Sequence, residues 1–302
     1  MKFSIASLPT GAILAPSTTD VARSAAIVAE ILRSKRTTML TGAGVSVASG
    51  LASYRGKDGL YTNPAYSPIF FHEFVRGGEQ GVLARKRYWA RSFKGYPALQ
   101  HAKPNLAHEA SATLLAKGNV LHIITQNVDR LHHLATGRSS DHPHITEIHG
   151  ALAKVMCVTR GDGVKDKWTA DYIYDDTAVH APHGCGAVLH RDVLQARFEQ
   201  LNPHFLGDID TRANPDGDAE LHNVDYSTFG VPECPSCGGI LKPAVVFFGE
   251  NVAKPVRDQA EKAIDDAEAL LVVGTSLATQ SAMRLVRRAL GASKPVVLLN
   301  QA

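Results

Sequence analysis

The residues with the clearest chemical potential follow short apolar runs. The motif GAGVS at positions 42–46 comes directly after the β-prone run Thr37–Thr41. Two glycines let backbone N–H groups approach a pyrophosphate, which would then sit on a helix N-terminus. Such turns are also common where no ligand binds, so this motif alone leaves both interpretations open. Arg55 lies just beyond the turn, on a segment expected to be a mobile loop.

A second polar group follows another apolar run. Gln126, Asn127 and Asp129 come directly after Thr125. Ligands in open α/β sheets bind beyond the carboxyl ends of strands, where these side chains can hydrogen-bond a ribose and an amide. The alternative is a capped turn, in which Asp129 is the N-cap of the next helix.

His149 ends a third strand-like run, Ile145–Ile148, and is followed by Gly150. An imidazole beside open space suits a general base. The chain has 14 histidines, and a lone histidine is usually a surface or packing residue. The position of His149 after a strand, and not its residue type, therefore makes it a candidate.

The four cysteines form a possible metal site. Cys234 and Cys237 are a CxxC pair followed by two glycines, and Cys157 and Cys185 remain as partners. Thiolates at this spacing bind one Zn²⁺ tetrahedrally, and a site of four thiolates leaves no open position for water. The sequence therefore predicts a zinc ion with a structural role and no catalytic one.

These groups need a scaffold, and the chain alternates strand and helix patterns near both ends. The strand candidates are Thr37–Thr41, Val120–Thr125, Ile145–Ile148, Ala244–Phe248, Ala269–Gly274 and Pro295–Leu299. The helix candidates are Val21–Ser34, Asn105–Lys117, Val256–Ala267 and Ala278–Leu290. This alternation predicts an α/β fold with a doubly wound, parallel, Rossmann-like sheet.

Two stretches break the alternation and are assigned to a smaller lobe. Residues 67–103 are rich in aromatic residues and Arg, and residues 151–243 contain all four cysteines. We predict a large domain from 20–66, 104–150 and 244–302, with a helical insertion at 67–103 and a zinc-binding insertion at 151–243. Residues 1–19 are predicted to be a flexible lead-in.

Composition excludes several classes of protein. The 302 residues are 44% hydrophobic and carry a formal net charge of +3, which rules out disorder of the whole chain and argues against a nucleic-acid binder. The surroundings of Cys234 also lack a basic and aromatic cluster. No apolar run approaches the roughly 18–20 residues of a membrane helix. We therefore expect no membrane contact and no direct binding of nucleic acid.

Taken together, the motifs resemble the sirtuins, a family of NAD-dependent protein deacylases. The matching motifs, in the order of the family, are GAGVS (42–46), GLASYRG (50–56), TQNVD (125–129), HG (149–150), CPSCGGILKPAVVFFGE (234–250) and GTS (274–276). They cover most of residues 35–300. Six linked motifs make a coincidence implausible.

The resemblance implies a role for each matching residue. The residues implied to bind NAD are Gly42, Ala43, Gly44, Ser46, Tyr54, Arg55, Gln126, Asn127, Asp129, Gly274, Thr275, Ser276 and Asn300. The residues implied to receive the acyl-lysine peptide are Val246, Phe248, Gly249 and Glu250. Asn127 and Asp129 would shape the nicotinamide pocket, and His149 would be the catalytic base.

The implied cofactors are NAD and Zn²⁺, and the implied partners are acyl-lysine proteins. The acyl oxygen would attack the ribose as nicotinamide leaves, and His149 would deprotonate a ribose hydroxyl. The products would be lysine, nicotinamide and O-acyl-ADP-ribose. An inactive NAD-binding or ADP-ribose-binding protein and a mono-ADP-ribosyltransferase are the alternatives.

Three motifs resemble the mitochondrial class II branch of the family, in forms common in fungi. These motifs are FHEF (71–74), RYWARSF (87–93) and NPDGD (214–218). The first 20 residues are poor in acid, as mitochondrial presequences are, although they lack Arg. We expect the mitochondrial matrix more than the nucleus or the cytoplasm.

The chain departs from the family pattern in three places. Cys157 and Cys185 are separated by 27 residues where the family has a second CxxC, and His180 or His183 could replace Cys185 as a ligand. Ala52 stands where many members have Pro. Family members continue past Asn300 with a ribose-binding loop and a closing helix, so fewer contacts to adenosine are expected here.

Tyr88 and Arg91 lie three positions apart and would share one helix face. Some class II sirtuins use a Tyr and an Arg at this spacing to bind the carboxylate of an acidic acyl group, and a guanidinium matches a carboxylate geometrically. This predicts activity on acidic or longer acyl chains over acetyl. The alternative is that Arg91 lies on the surface and Tyr88 in the core.

Overall fold

The computed structural model describes residues 18–55, 59–62, 66–138, 140–159, 161, 184–205, 214–221 and 224–300. Most of the lead-in, His180 and His183 lie outside these residues, so the predictions made for them stay predictions.

The described elements alternate between strands and helices. The strands are β1 (Thr37–Thr41), β2 (Val120–Thr125), β3 (Ile145–Glu147), β4 (Gly150–Cys157), β5 (Val188–His190), β6 (Leu241–Val245), β7 (Ala269–Val273) and β8 (Val296–Leu299). The α-helices are α1 (Val21–Ser34), α2 (Phe71–Phe74), α3 (Gly78–His101), α4 (Leu106–Ala116), α5 (Leu131–Ala135), α6 (Arg191–Leu201), α7 (Lys254–Asp266) and α8 (Gln280–Gly291).

The larger sheet has five parallel strands in the order β3-β2-β1-β7-β8. Side chains alternate between the two faces of a strand. Leu40 of β1 accordingly lies in the core formed with α7 and α8, whereas its neighbour Met39 lies in the core that includes Leu32 of α1 and Leu115 of α4. Helices thus cover both faces of the sheet, which confirms the predicted doubly wound α/β class.

The smaller sheet is antiparallel, in the order β5-β4-β6. It packs with α2, α3 and α6 around buried aromatic residues such as Trp89 and Phe198. Residues 67–103, predicted to be a helical insertion, contain α2 and α3. No helix among the described residues is both long enough and apolar enough to cross a membrane.

The prediction of a parallel strand at Ala244–Phe248 is wrong. The strand is Leu241–Val245, and it pairs antiparallel with β4 in the smaller sheet. Gly150 explains this pairing because its φ is +79° and a Cβ there would overlap the Ala244 carbonyl oxygen. Residues after Val245 leave the sheet and run along the cavity described below.

The expected helix after the glycine turn is a 3₁₀ helix, Ala43–Ser49, and not an α-helix. It follows β1 directly and ends at Gly50, whose φ of +88° favours glycine. A 3₁₀ helix is tighter than an α-helix and is used in short pieces. The glycines of the turn contact the end of β7, where Gly42 donates to the Val273 carbonyl and Gly44 to the Gly274 carbonyl.

Candidate active site

A cavity of about 1900 Å³ lies at the carboxyl ends of β1, β2 and β7, with residues of the smaller lobe on its other side. The predicted site residues that line it are Gly42, Ala43, Gly44, Tyr54, Arg55, Tyr88, Arg91, Gln126, Asn127, His149, Val246, Phe248, Gly249, Glu250, Gly274, Thr275, Ser276 and Asn300. Ser46 and Asp129 line a small adjoining pocket that shares Asn127 with the cavity.

Glycines form the part of the cavity wall between β1 and β7. The Gly44 N–H donates to the Gly274 carbonyl at 2.8 Å. A Cβ on Gly44 would lie 2.7 Å from that oxygen, and a Cβ on Gly42 would lie 2.6 Å from the Thr275 Cβ. Only glycine lets the two backbones approach this closely.

Asn127 and Asp129 share a buried hydrogen-bond network with Ser46. Ser46 Oγ donates to Asp129 Oδ2 at 2.6 Å, and Asn127 Nδ2 donates to Ser46 Oγ at 3.0 Å. Asp129 Oδ1 also accepts from the Leu131 N–H at 2.9 Å, next to the start of α5. Asp129 therefore stabilises this turn and, through Ser46, fixes the Asn127 amide beside the cavity. The N-cap of α5 is Arg130, so the alternative in which Asp129 is the N-cap is wrong.

His149 is held at both ring nitrogens. Nδ1 lies 3.1 Å from the Gln126 carbonyl oxygen, and Nε2 lies 2.7 Å from Ser281 Oγ. A carbonyl only accepts, so Nδ1 carries the hydrogen and Nε2 of the neutral ring has the lone pair. Burial lowers the pKa of His149 to about 4. The ring is therefore neutral at pH 7, with its basic nitrogen at the cavity wall.

Further hydroxyl groups connect His149 to the rest of the wall. Ser281 Oγ lies 3.3 Å from Thr279 Oγ1, which donates to Gln126 Oε1 at 3.0 Å. Gln126 Nε2 in turn donates to Thr275 Oγ1 at 2.8 Å. These contacts fix the side chains that follow β2 and β7 relative to the histidine.

Arg55 brings an unsatisfied cationic group to the cavity. Its Nε is buried without a hydrogen-bond partner in the described part of the chain. Its guanidinium carbon lies 5.4 Å from the centre of the Tyr61 ring. A buried donor of this kind is expected to have a partner, and an anionic ligand in the cavity would supply one.

The four cysteines form one cluster. Their Sγ atoms all lie within 4.8 Å of one another, with Cys157 and Cys237 at 3.6 Å and Cys185 and Cys234 at 3.7 Å. Four thiolates at the usual Zn–S distance of about 2.3 Å would be about 3.8 Å apart, so the donor set fits zinc. Cys185 thus joins the cluster despite the long insert, and none of the four lines the cavity.

A sequence model of the Sir2 family matches residues 42–281 of this chain, which span the glycine turn, His149 and the cysteine cluster. The chain belongs to the Sir2 family. The sirtuin resemblance of the motifs is thereby confirmed.

Curated relatives in the family are similar over most of their length. "NAD-dependent protein deacylase SIR4" of Batrachochytrium dendrobatidis is 41% identical over 277 residues, which cover 88% of this chain and 80% of the relative. "NAD-dependent protein deacetylase 1" of Streptomyces coelicolor is 36% identical over 291 residues, which cover 96% of this chain and 84% of the relative.

Solved sirtuin structures have the same fold. A "Sir2-p53 peptide-NAD+" structure is 23% identical to this chain, with a TM-score of 0.62, 91% of this chain covered and 85% of that chain. A second one, "Structural Basis for the Mechanism and Regulation of Sir2 Enzymes", is 26% identical, with a TM-score of 0.58 and coverages of 91% and 84%.

The segment after β6 forms another wall of the sirtuin cavity. The Val246 N–H donates to the His149 carbonyl at 2.9 Å, and Phe248 forms a parallel bridge with Phe70. Glu250 Oε2 accepts from the Phe247 N–H at 2.8 Å and pairs with the buried Lys242 at 2.9 Å. These contacts hold Val246 and Phe248 along the cavity. The resemblance to the sirtuins implies that these residues receive the substrate peptide.

Tyr88 and Arg91 both line the cavity from α3. Tyr88 packs edge-on against Phe74 and Phe247, as a core residue would. The Arg91 side chain is only 12% exposed, so the interpretation of Arg91 as a surface residue is wrong. Arg91 Nη2 lies 2.9 Å from Asp218 Oδ2, so the guanidinium already has a carboxylate partner within the chain.

Sequence reasoning missed several cavity residues. Ser281 and Thr279 were noticed only as part of a helix pattern, and Asp216 and Asp218 only within the NPDGD branch motif. A hydroxyl residue shortly after the GTS motif was the available signal for Ser281. The contact of Asp218 with Arg91 has no local signal because it joins distant parts of the chain.

Proposed function

We propose that this sirtuin is an NAD-dependent protein-lysine deacylase that transfers the acyl group to ADP-ribose and releases nicotinamide. The observation that carries the proposal is a neutral His149 with its basic Nε2 at the wall of a cavity that a glycine turn also lines. The two relatives described above, which are named as a deacylase and a deacetylase, support the same reaction.

The residues present fit NAD. The backbone at Gly42 and Gly44 lines the cavity without side chains, and Arg55 brings a buried N–H group without a partner in the described part of the chain. These groups would hold the pyrophosphate, while Gln126 would hold the nicotinamide ribose. Thr275, Ser276 and Asn300 would hold the adenosine half. Bound NAD would supply a ribose carbon that an acyl oxygen can attack as nicotinamide leaves.

His149 acts as the general base of the reaction. Its Nδ1–H is fixed on the Gln126 carbonyl, so the free electron pair of Nε2 points toward Ser281 and the cavity wall. A ligand hydroxyl that replaces the Ser281 contact can give its proton to Nε2. Such proton transfer is typically worth about 10²–10⁴-fold in rate.

Asn127 fixes the nicotinamide end of the site. Its Nδ2 group donates to the Gly42 carbonyl at 3.2 Å as well as to Ser46 Oγ, so the amide has one orientation. Asp129 stabilises that orientation through Ser46. A fixed amide can hydrogen-bond the carboxamide of nicotinamide and hold it for departure. The partners of this site are acyl-lysine proteins.

The test is nicotinamide release from NAD with and without an acyl-lysine peptide. We expect release that depends on the peptide, and a loss of about 10²–10⁴-fold in His149→Ala with NAD binding retained. His101→Ala, an exposed histidine at the end of α3, is the matched control and should retain full turnover. Peptide-independent NAD binding without release would instead identify a binding protein.

We also propose that the protein works in the mitochondrial matrix. The acid-poor composition of the first 20 residues and the class II branch motifs support this location. A fluorescent fusion of the full chain should colocalise with a matrix marker, and a fusion without residues 2–19 should not. Nuclear or cytoplasmic fluorescence of the full chain would contradict the proposal.

A further inference from the structure

Two carboxylates line the cavity beside Arg91, and the proposed mechanism uses neither of them. Asp216 and Asp218 come from the NPDGD motif, and both belong to the cavity wall. The Asp218 side chain is 11% exposed. Acidic residues in the wall of a cavity repel negatively charged ligands and so influence which substrates the cavity can bind.

The NPDGD turn is fixed on α3. The Gly217 N–H donates to the Asn214 carbonyl at 2.9 Å, and Asn214 Nδ2 donates to Asp218 Oδ1 at 2.7 Å. The Ala219 N–H donates to the Arg91 carbonyl at 3.2 Å. A Cβ on Gly95 would overlap the Asp218 backbone, so glycine lets the turn lie directly on the helix. The position of the Asp218 carboxylate is therefore set by the backbone contacts of the turn and by the Asn214 side chain.

Asp218 takes the place that an acidic ligand would need. Its Oδ2 lies 2.9 Å from Arg91 Nη2, while Arg91 Nε donates to the Ala219 carbonyl at 3.1 Å. A guanidinium binds a carboxylate best through two parallel donors. Here the edge of Arg91 formed by Nε and Nη2 faces Ala219 and Asp218, so a second carboxylate at that edge would meet the charge of Asp218.

Asp216 adds to this effect. Its Oδ2 accepts from the Tyr66 hydroxyl at 3.0 Å. Burial, and then the Asp218 charge, raise the pKa of Asp216 to about 7. Burial also raises the pKa of Asp218, and the Arg91 charge opposes that shift. The Arg91 guanidinium therefore faces a carboxylate of its own chain at 2.9 Å, and an acidic acyl group bound to Arg91 would lie beside that carboxylate.

We infer that Asp218 is a specificity-determining residue that neutralises Arg91 and excludes acyl-lysines with a terminal carboxylate, so that neutral acyl chains are the preferred substrates. The inference rests on the proposed deacylase function. It reverses the expectation, drawn from the spacing of Tyr88 and Arg91, that this pair binds an acidic acyl group. The structure differs from that expectation because Arg91 is already paired within the chain.

Matched peptides that carry valeryl-lysine and glutaryl-lysine test the inference. The two acyl groups have the same five-carbon chain and differ in the terminal carboxylate. The wild-type protein should have a kcat/KM at least tenfold higher on the valeryl peptide. Asp218→Asn should raise the glutaryl-to-valeryl ratio at least tenfold, because it removes the competing charge while keeping the shape of the side chain.

Two variants separate specificity from general damage. Glu199→Gln removes a negative charge from the exposed face of α6 in the same lobe and should leave the ratio unchanged. Adding Arg91→Ala to Asp218→Asn should abolish the gain, since Arg91 is then no longer present to bind the carboxylate. A gain that persists without Arg91 would overturn the inference.

Peptide binding to the wild-type protein is a further test, which requires neither turnover nor a variant that folds. Fluorescence polarisation of labelled peptides with the wild-type protein and NAD should show weaker binding of glutaryl-lysine than of valeryl-lysine. Equal or tighter binding of the glutaryl peptide would overturn the inference and leave the deacylase proposal intact. If neither peptide releases nicotinamide although valeryl-lysine binds more tightly, the proposed function fails and the specificity inference stands.

Discussion

Ser281 Oγ lies 2.7 Å from Nε2 of His149, the nitrogen that must accept a proton in the proposed reaction. With the neutral ring, Ser281 donates to Nε2 because Nδ1 already carries the hydrogen. With the charged ring, Ser281 can accept from Nε2 and turn its own hydrogen toward Thr279 Oγ1, 3.3 Å away. The hydroxyl can therefore orient the neutral ring until a ligand hydroxyl takes its place at Nε2, and it can accept the Nε2 hydrogen once the proton has been transferred.

We predict that Ser281→Ala lowers kcat because it removes this contact from the base. The loss of one hydrogen bond is worth about 0.5–1.5 kcal/mol, or about 2- to 12-fold in rate. The KM for NAD should change little, and Ser281→Thr, which keeps the hydroxyl, should restore most of the rate. The measurement is steady-state kinetics of the wild type, Ser281→Ala and Ser281→Thr on the same acyl peptide. An unchanged kcat in Ser281→Ala would show that the contact does not serve catalysis.

The large sheet could be predicted closely from the sequence because its signals are local. The predicted bounds of Val21–Ser34 and Val120–Thr125 agree with the structure, since helix periodicity and an unbroken apolar run define such elements without knowledge of their neighbours. The error at Ala244–Phe248 has a non-local cause. The apolar run suits either sheet, and the close approach at Gly150 decides its partner.

The same distinction applies to the site. Gln126, Asn127 and His149 could be found because they follow strands that the sequence itself marks. The contact between Asp218 and Arg91 could not, because it depends on how a turn in one insertion lies on a helix in another. Arg91 was therefore predicted to be at the cavity, whereas its pairing was not.

Acid should destabilise the fold because several histidines are buried in the neutral form. Burial lowers the pKa of these residues to about 3 for His132 and to about 4 for His122, His133 and His149. Between about pH 6.5 and pH 4 the unfolded chain binds protons at all four, and the folded chain does not. Stability is therefore lost as the pH falls through this window.

Three carboxyl groups act in the opposite direction. Burial raises the pKa of Glu147 and of Asp216 to about 7 and also raises the pKa of Asp218, so the folded chain binds their protons first as the pH falls. Burial lowers the pKa of a further histidine, His108, as well, so the histidines outnumber these carboxyls, and we expect the melting temperature to fall from pH 7 to pH 5. The melting temperature of His122→Asn should fall less steeply over this range, whereas that of His101→Asn should fall as in the wild type. A melting temperature that rises on acidification would contradict the expectation that the buried histidines dominate.

Zinc should be structural. We expect one Zn²⁺ per chain by metal analysis. Cys234→Ser and Cys185→Ser should each lose the zinc, and both variants should have a lower solubility and a lower melting temperature. Ser236→Ala, at an exposed position between two of the ligands, should keep its zinc. Cys185→Ser with a full zinc content would show that another residue, such as His180 or His183, completes the site. Active, folded protein without zinc would contradict the structural role.

Gly44→Ala should disrupt both the fold of the glycine turn and the binding of NAD. A Cβ at this position would lie 2.7 Å from the Gly274 oxygen and 2.9 Å from the Gly274 Cα, and both atoms belong to backbone that has no flexible end to move. The turn and β7 must therefore separate, which breaks the Gly44 N–H hydrogen bond to Gly274 and shifts the wall proposed to hold the pyrophosphate. We expect a destabilisation of about 1–3 kcal/mol from overpacking and a larger loss of NAD affinity by calorimetry. Gly291→Ala is the matched control, because nothing lies within 4 Å of its added Cβ at the end of α8. NAD affinity retained in Gly44→Ala would place the pyrophosphate away from this turn.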